Sequence, residues 1–185
     1  MIEEHANFNS DGMKLEGIWS YDENAVNPPS VLLCPPHPHL GGDMENNVIT
    51  VLGNVLAEKG FATLRFNYRG VGNSESRLGN IAEVYEYWEE ILNNDDCSDA
   101  IVDAASAINY LESTVGTNRL FITGYSFGAI VAMMLSVKHT NIRAFASIST
   151  PFGRFDTSFL SDYRKPKMFI CADNDFASSI EEVNK

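Results

Sequence analysis

Basic residues are scarce in this chain. Thirteen lysines and arginines stand against 25 aspartates and glutamates in 185 residues, a formal net charge of −12. A surface of that sign argues against nucleic acid and against an anionic membrane as partner. Long apolar runs are also missing, and none approaches the roughly 18 residues that a membrane-crossing helix needs. The first residues carry neither a positive stretch nor an apolar core, which predicts no secretory leader. Cysteine is sparse, with only Cys34, Cys97 and Cys171. Their odd number and scattered spacing fit neither a disulfide framework nor a metal site. Cys34 and Cys171 fall in apolar, strand-like runs, where a reduced thiol behaves as a small hydrophobe. These absences point to a cytoplasmic chain that needs neither metal nor organic cofactor.

What is present suits a single soluble domain. Hydrophobic residues make up 44% of the chain, enough for a sizeable core. Two antiparallel strands are predicted over 3–9 and 14–21, joined at Ser10-Asp11-Gly12. Strand-like runs follow at 30–34, 61–68, 119–126, 143–149 and 166–172. Helical periodicity occupies 46–59, 81–93, 97–113 and the stretch from 127 to about 138. Strands alternating with helices imply βαβ crossovers, hence an α/β fold with a mostly parallel sheet and helices on both faces. An acidic block from Glu83 to Asp103, free of basic residues, reads as a solvated helix face. No repeat or linker divides the chain, so residues 1–185 are expected to form one domain.

The most informative stretch is Gly124-Tyr125-Ser126-Phe127-Gly128. An apolar strand precedes this G-x-S-x-G turn and a small-residue helix follows it. That context predicts a nucleophile elbow, a strained turn that lifts a serine hydroxyl above the sheet. Ser126 is the candidate nucleophile. The alternative is an ordinary glycine-rich turn with a surface serine. Three other loops leave carboxyl ends of strands with unusual chemistry: 35–42, 69–74 and 173–175. Sites in open parallel sheets form at those ends. The Gly70-Val71-Gly72 stretch in the second loop is a weak phosphate signal, since the rest of a dinucleotide fingerprint is absent.

These motifs occur in a familiar order. Residues 34–42 (Cys-Pro-Pro-His-Pro-His-Leu-Gly-Gly), 66–74 (Phe-Asn-Tyr-Arg-Gly-Val-Gly-Asn-Ser) and 124–128 resemble an α/β-hydrolase. The similarity is strongest to small, lidless bacterial hydrolases with a His-Pro-His-Pro-like loop after the third strand. The resemblance implies an acyl-transfer site. The Phe127 amide would be one oxyanion donor. The second donor would come from the loop after the third strand. Pro38 has no N–H, which leaves His39, with Leu40 behind it. The acid would follow the strand at 166–172, at Asp175, with Asp173 as fallback. Ordinary turn-forming aspartates are the alternative there.

One expected group is missing. In the family the catalytic histidine follows one more helix and strand after the acid. The four histidines are His5, His37, His39 and His139, all before Asp175. His139 ends the helix after the elbow, where it suits the helix dipole. His37 and His39 lie on a loop bordering the site. Three explanations stand: a sequence incomplete at its C-terminus, a pseudo-hydrolase, or a histidine from another chain. The first is preferred, since Ser178–Val183 reads as the start of a helix without a closing strand. An uncovered sheet edge would favour homo-oligomers. Residues 80–98 form an extra segment with an apolar stripe, either a small cap beside the site or a helix on the domain's flank. The connection at 151–165 is too short for a large lid.

The expected function is hydrolysis of an ester, thioester or small amide, with a small-molecule acyl substrate. A catalytically incomplete protein that binds a ligand or partner is the second reading. A small peptidase ranks third, because no domain selects peptide ends.

Overall fold

The computed structural model describes residues 1–175. Within them the chain forms seven strands and four α-helices: β1 Ile2–Ser10, β2 Met13–Tyr21, β3 Ser30–Cys34, α1 Asn47–Glu58, β4 Ala62–Phe66, α2 Ile81–Asn94, α3 Ser98–Val115, β5 Leu120–Tyr125, α4 Phe127–Lys138, β6 Ile142–Ile148 and β7 Lys167–Ile170. All strands join one sheet in the order β1-β2-β4-β3-β5-β6-β7. The first two contacts, β1 with β2 and β2 with β4, are antiparallel, and the rest are parallel. The expected mostly parallel α/β sheet is therefore present.

Local chemistry explains the elements. Asp11 and Gly12 both have positive φ, 50° and 82°, the turn that matches the twist of a two-residue hairpin. Asn46 and Asn80 cap α1 and α2 by accepting from amides of the first turn. Gly116, at φ 66°, ends α3. The strand at 166–172 is shorter than its apolar run predicts. It stops at Ile170, so Cys171 lies past the strand and is partly exposed.

The main core lies between one face of the sheet and α3 and α4. Leu32, Leu64, Phe66, Ile122, Ile130 and Ile108 are all fully enclosed there or nearly so. α1 packs on the other face, over Val31 and Leu33 of β3. The chain thus leaves β3 toward one face and β5 toward the other. β3 and β5 are neighbours, so their carboxyl ends make a crevice where the chain diverges.

The acidic block is only partly a solvated face. Asp103 has no exposed surface. Its carboxylate accepts from Ser10 Oγ at 2.7 Å, from the Arg69 amide at 3.0 Å and from Arg69 Nη2 at 2.8 Å. Arg69 Nη1 also meets Asp99 at 2.9 Å. The reason is helical phase. Asp103 shares its face of α3 with Ala100, Ala104 and Ala107, and a charge there must be paired to be tolerated.

Candidate active site

Ser126 stands between β5 and α4 with φ 55° and ψ −118°. A side chain at this positive φ is strained, at a cost of about 1–3 kcal/mol. Two glycines make the turn possible. A Cβ on Gly124 would sit 2.0 Å from the Gly128 carbonyl oxygen, and one on Gly128 would sit 2.1 Å from that of Cys34. The turn is tied to the sheet through Ser126 N–H, which donates to Ile148 O at 2.9 Å. The structure thus has the strained strand–turn–helix geometry that the motif predicts.

Phe127 opens α4, where the first amides of a helix have no partner within the helix. Its ring is fixed in an aromatic box. His37 lies 4.5 Å away, Tyr68 6.0 Å, Phe155 6.4 Å and Trp88 6.5 Å, measured between ring centroids. Trp88 comes from α2 and donates through Nε1 to Arg69 O at 3.2 Å. This box was not legible beforehand, because its members are 118 positions apart at the extremes and no single motif joins them.

The loop after β3 brings two histidines beside the elbow. His37 is buried, and its Nδ1 accepts from the His39 amide at 3.2 Å. Its Nε2 is enclosed and has no hydrogen-bond partner among the described residues. Burial, with smaller contributions from His39 and Arg154, lowers its pKa to about 4. The imidazole is therefore neutral at pH 7, with Nδ1 as acceptor. The His39 amide faces competition: an oxyanion would have to take it from His37 Nδ1. The His39 ring rests 4.3 Å from Tyr85 of α2. α2 thus does two things at once. It buries Val84, Trp88 and Ile91 in the domain, and it walls the histidine loop with Tyr85.

Asp173 and Asp175 lie in the turn after β7, where the Asp175 amide donates to Ala172 O at 3.2 Å. The parallel register β5-β6-β7 puts this turn at the same end of the sheet as Ser126. His5 is on β1, paired opposite Ile18. His139 closes α4 at the end away from Ser126, 3.9 Å from Glu112. Residues 176–185, including the helix start expected at Ser178–Val183, lie outside the described residues.

The glycine loop at 69–74 has a structural explanation. Glu16 is buried and accepts from Asn67 Nδ2 at 2.7 Å, the Asn73 amide at 2.7 Å and Asn73 Nδ2 at 2.9 Å. A Cβ on Gly72 would fall 2.2 Å from Glu16 Oε1. Glycine is there so that a carboxylate can approach, and the loop amide that a phosphate would use already serves Glu16. Among the described residues no group of three or more His, Cys, Asp or Glu could hold a metal ion. No helix among them is long and apolar enough to cross a membrane.

This arrangement defines a class. The model of the α/β-hydrolase fold family matches residues 29–163, and the chain belongs to that family. An uncharacterised protein of Rickettsia prowazekii is 31% identical over 181 residues, which cover 95% of this chain and 68% of that one. Solved structures agree. A protein of unknown function from Agrobacterium tumefaciens superposes with a TM-score of 0.81 at 28% identity, over 98% of this chain and 76% of its own. A lidless α/β serine hydrolase from Xanthomonas campestris gives 0.78 at 25% identity, with 98% and 76% covered. These likenesses support a hydrolase.

Proposed function

We propose that the chain carries the nucleophile half of a serine hydrolase site for esters or thioesters. The carrying observation is Ser126 at φ 55° and ψ −118° between β5 and α4. Strain of that kind concentrates at functional sites. In this reading Ser126 Oγ attacks the acyl carbon, and the Phe127 amide holds the oxyanion from a helix start fixed by four rings. The His39 amide is the second donor and leaves His37 Nδ1 to serve. Asp175 is the acid that orients the general-base histidine, which is none of His5, His37, His39 and His139. The substrate is a small acyl compound, and a reducing cytoplasm suits three unpaired cysteines.

The second reading is a protein that binds through this cleft without turnover. What favours it is the state of the histidines. His37 is enclosed, with its pKa lowered to about 4, which suits a general base poorly at neutral pH. A serine without a base is a weak nucleophile.

Labelling by a fluorophosphonate, read by intact mass with Ser126→Ala as control, separates the two. A stoichiometric adduct that the variant lacks supports an activated serine. A folded chain that stays unmodified supports the second reading.

A further inference from the structure

A second cleft opens at the end of the sheet away from Ser126. It encloses about 350 Å³ where Ala62 begins β4 and where α3 ends. β4 runs parallel to β3, and β3 to β5, so the cleft and the elbow stand at opposite ends of the parallel strands. Register builds its floor. Glu4 pairs opposite Trp19, and Ile2 opposite Tyr21. Glu4, Trp19 and Tyr21 therefore share the face on which Ala6 and Phe8 enter the main core. Tyr110 of α3 completes an aromatic wall. Its ring centroid is 5.9 Å from that of Trp19, at 45°, and Phe8 stacks on it from 5.7 Å. Trp19 Nε1 donates to the Tyr110 hydroxyl over 3.5 Å. The fold fixes this wall without help from a ligand.

The charge around the rings has one sign. Glu4, Asp22 and Glu23 line the cleft, and no lysine or arginine does. The Asp22 carboxylate is held in place by the Asn24 amide at 3.1 Å and by Asn24 Nδ2 at 3.2 Å. His5 borders the cleft as well, but it alternates with Glu4 along β1, which turns its side chain to the other face. Arg119 reaches the loop before β3, where its guanidinium donates to Asn27 O. Thr114 and Val115 bring in the last turn of α3, which holds no basic residue. The free carbonyls of that turn add the negative end of the helix dipole.

Rings and charge together select the ligand. Carboxylates alone would suit a metal ion, yet among the described residues no group of three or more His, Cys, Asp or Glu could hold one. Aromatic faces beside negative groups suit instead a weakly hydrated cation that carries its own apolar surface. The volume agrees, since small-molecule sites begin at roughly 300 Å³. We propose that this cleft binds a small organic cation, an alkylammonium seated against Trp19, Tyr21 and Tyr110 with Glu4 and Asp22 as its counter-charges. The site is separate from Ser126 and independent of the hydrolase reading.

The test is a titration of the full chain with choline, followed through the Trp19 indole N–H signal in NMR spectra at constant ionic strength. The expected result is a saturable shift of that signal, while the signal of Trp88, at the other end of the fold, stays in place. The uncharged isostere 3,3-dimethylbutan-1-ol should bind at least about tenfold more weakly, because it lacks the charge that the rings and carboxylates attract. Tyr21→Leu should weaken choline binding about threefold or more, and Glu4→Gln with Asp22→Asn by a similar factor. Tyr85→Leu, on α2, should change nothing. Absence of a saturable shift overturns the proposal. Equal binding of the isostere also overturns it, because the cleft would then be merely apolar. So does displacement of choline by magnesium chloride at matched ionic strength, which would mark a rim for any cation. Labelling of Ser126 is scored separately, so choline binding to a chain that stays unlabelled supports the cation site and counts against the hydrolase reading alone.

Discussion

The α-carbon of Gly128 faces the Cys34 carbonyl so closely that a Cβ would lie 2.1 Å from that oxygen. The contact joins the start of α4 to the end of β3, the two elements whose loops diverge around Ser126. It is backbone against side chain, so no rotamer change can relieve it. Gly128→Ala should destabilise the chain by about 1–3 kcal/mol or more. Urea unfolding checks this, and a loss below about 1 kcal/mol would show that the elbow is looser than described.

Ser126 is strained while its neighbours are tightly placed. Ser126→Gly removes the Cβ from a backbone conformation that glycine adopts freely. It should raise stability by about 1 kcal/mol while eliminating the hydroxyl. The expected signature is a higher unfolding midpoint with an unchanged denaturant slope. A lower midpoint would mean that the hydroxyl stabilises the turn by more than the strain costs.

The Arg69–Asp103 pair is buried and shared with Ser10. Asp103→Ala would leave a guanidinium enclosed without its main partner, at a cost of about 3–5 kcal/mol. Replacing both by leucine should recover part of that loss. Chemical denaturation of the single and double variants measures it, and equal losses in the two would contradict the pairing account.

His37 predicts an acid-sensitive step. Burial, foremost, lowers its pKa to about 4 from an ordinary 6.5. The unfolded chain binds this proton more readily than the folded one, so stability rises with pH between those values. The contribution is complete above about pH 6.5 and is lost as pH falls toward 4, to an extent of up to about 3 kcal/mol. His37→Gln should flatten stability across that window. Glu3 and Glu16 also titrate low. Burial raises the Glu16 carboxyl, but hydrogen bonds from Asn73 and Asn67 outweigh it, and the Arg65 hydrogen bond leads at Glu3. Their losses begin lower, as pH falls below about 4.5, so a slope above pH 5 that survives His37→Gln would refute the assignment.

Trp88 links α2 to the elbow through His37 and Phe127. Trp88→Ala should cost about 3–5 kcal/mol and free the histidine loop. Faster amide exchange at residues 37–40 would accompany that loss. Unchanged exchange there would show that α2 supports the core without restraining the loop.

The elements were legible in the sequence because they follow from local rules. The Asp11-Gly12 turn between the first two strands and the apolar stripe of α2 each depend on neighbours within a few positions. The elbow was legible for the same reason: strand, Gly-x-Ser-x-Gly and helix are consecutive, and close approach leaves room only for glycine. The resemblance added the expected order of site loops, which the parallel register of β5, β6 and β7 brings to one end of the sheet.

Other features needed the folded chain. Nothing near Asp103 in sequence distinguishes it from its solvated acidic neighbours. Its burial depends on helical phase and on an arginine 34 positions away. The purpose of Gly72 was hidden because the carboxylate it admits, Glu16, belongs to a strand 56 positions earlier. The state of His37 likewise depends on enclosure by Trp88 and Phe127, and enclosure is a property of packing. The sequence by itself determined the α/β class and the serine at the turn, because backbone sterics and hydrophobic period act locally. Only the tertiary structure decided which charges are buried, which amides are engaged and which rings and carboxylates share a cleft, because each depends on atoms brought together across the fold.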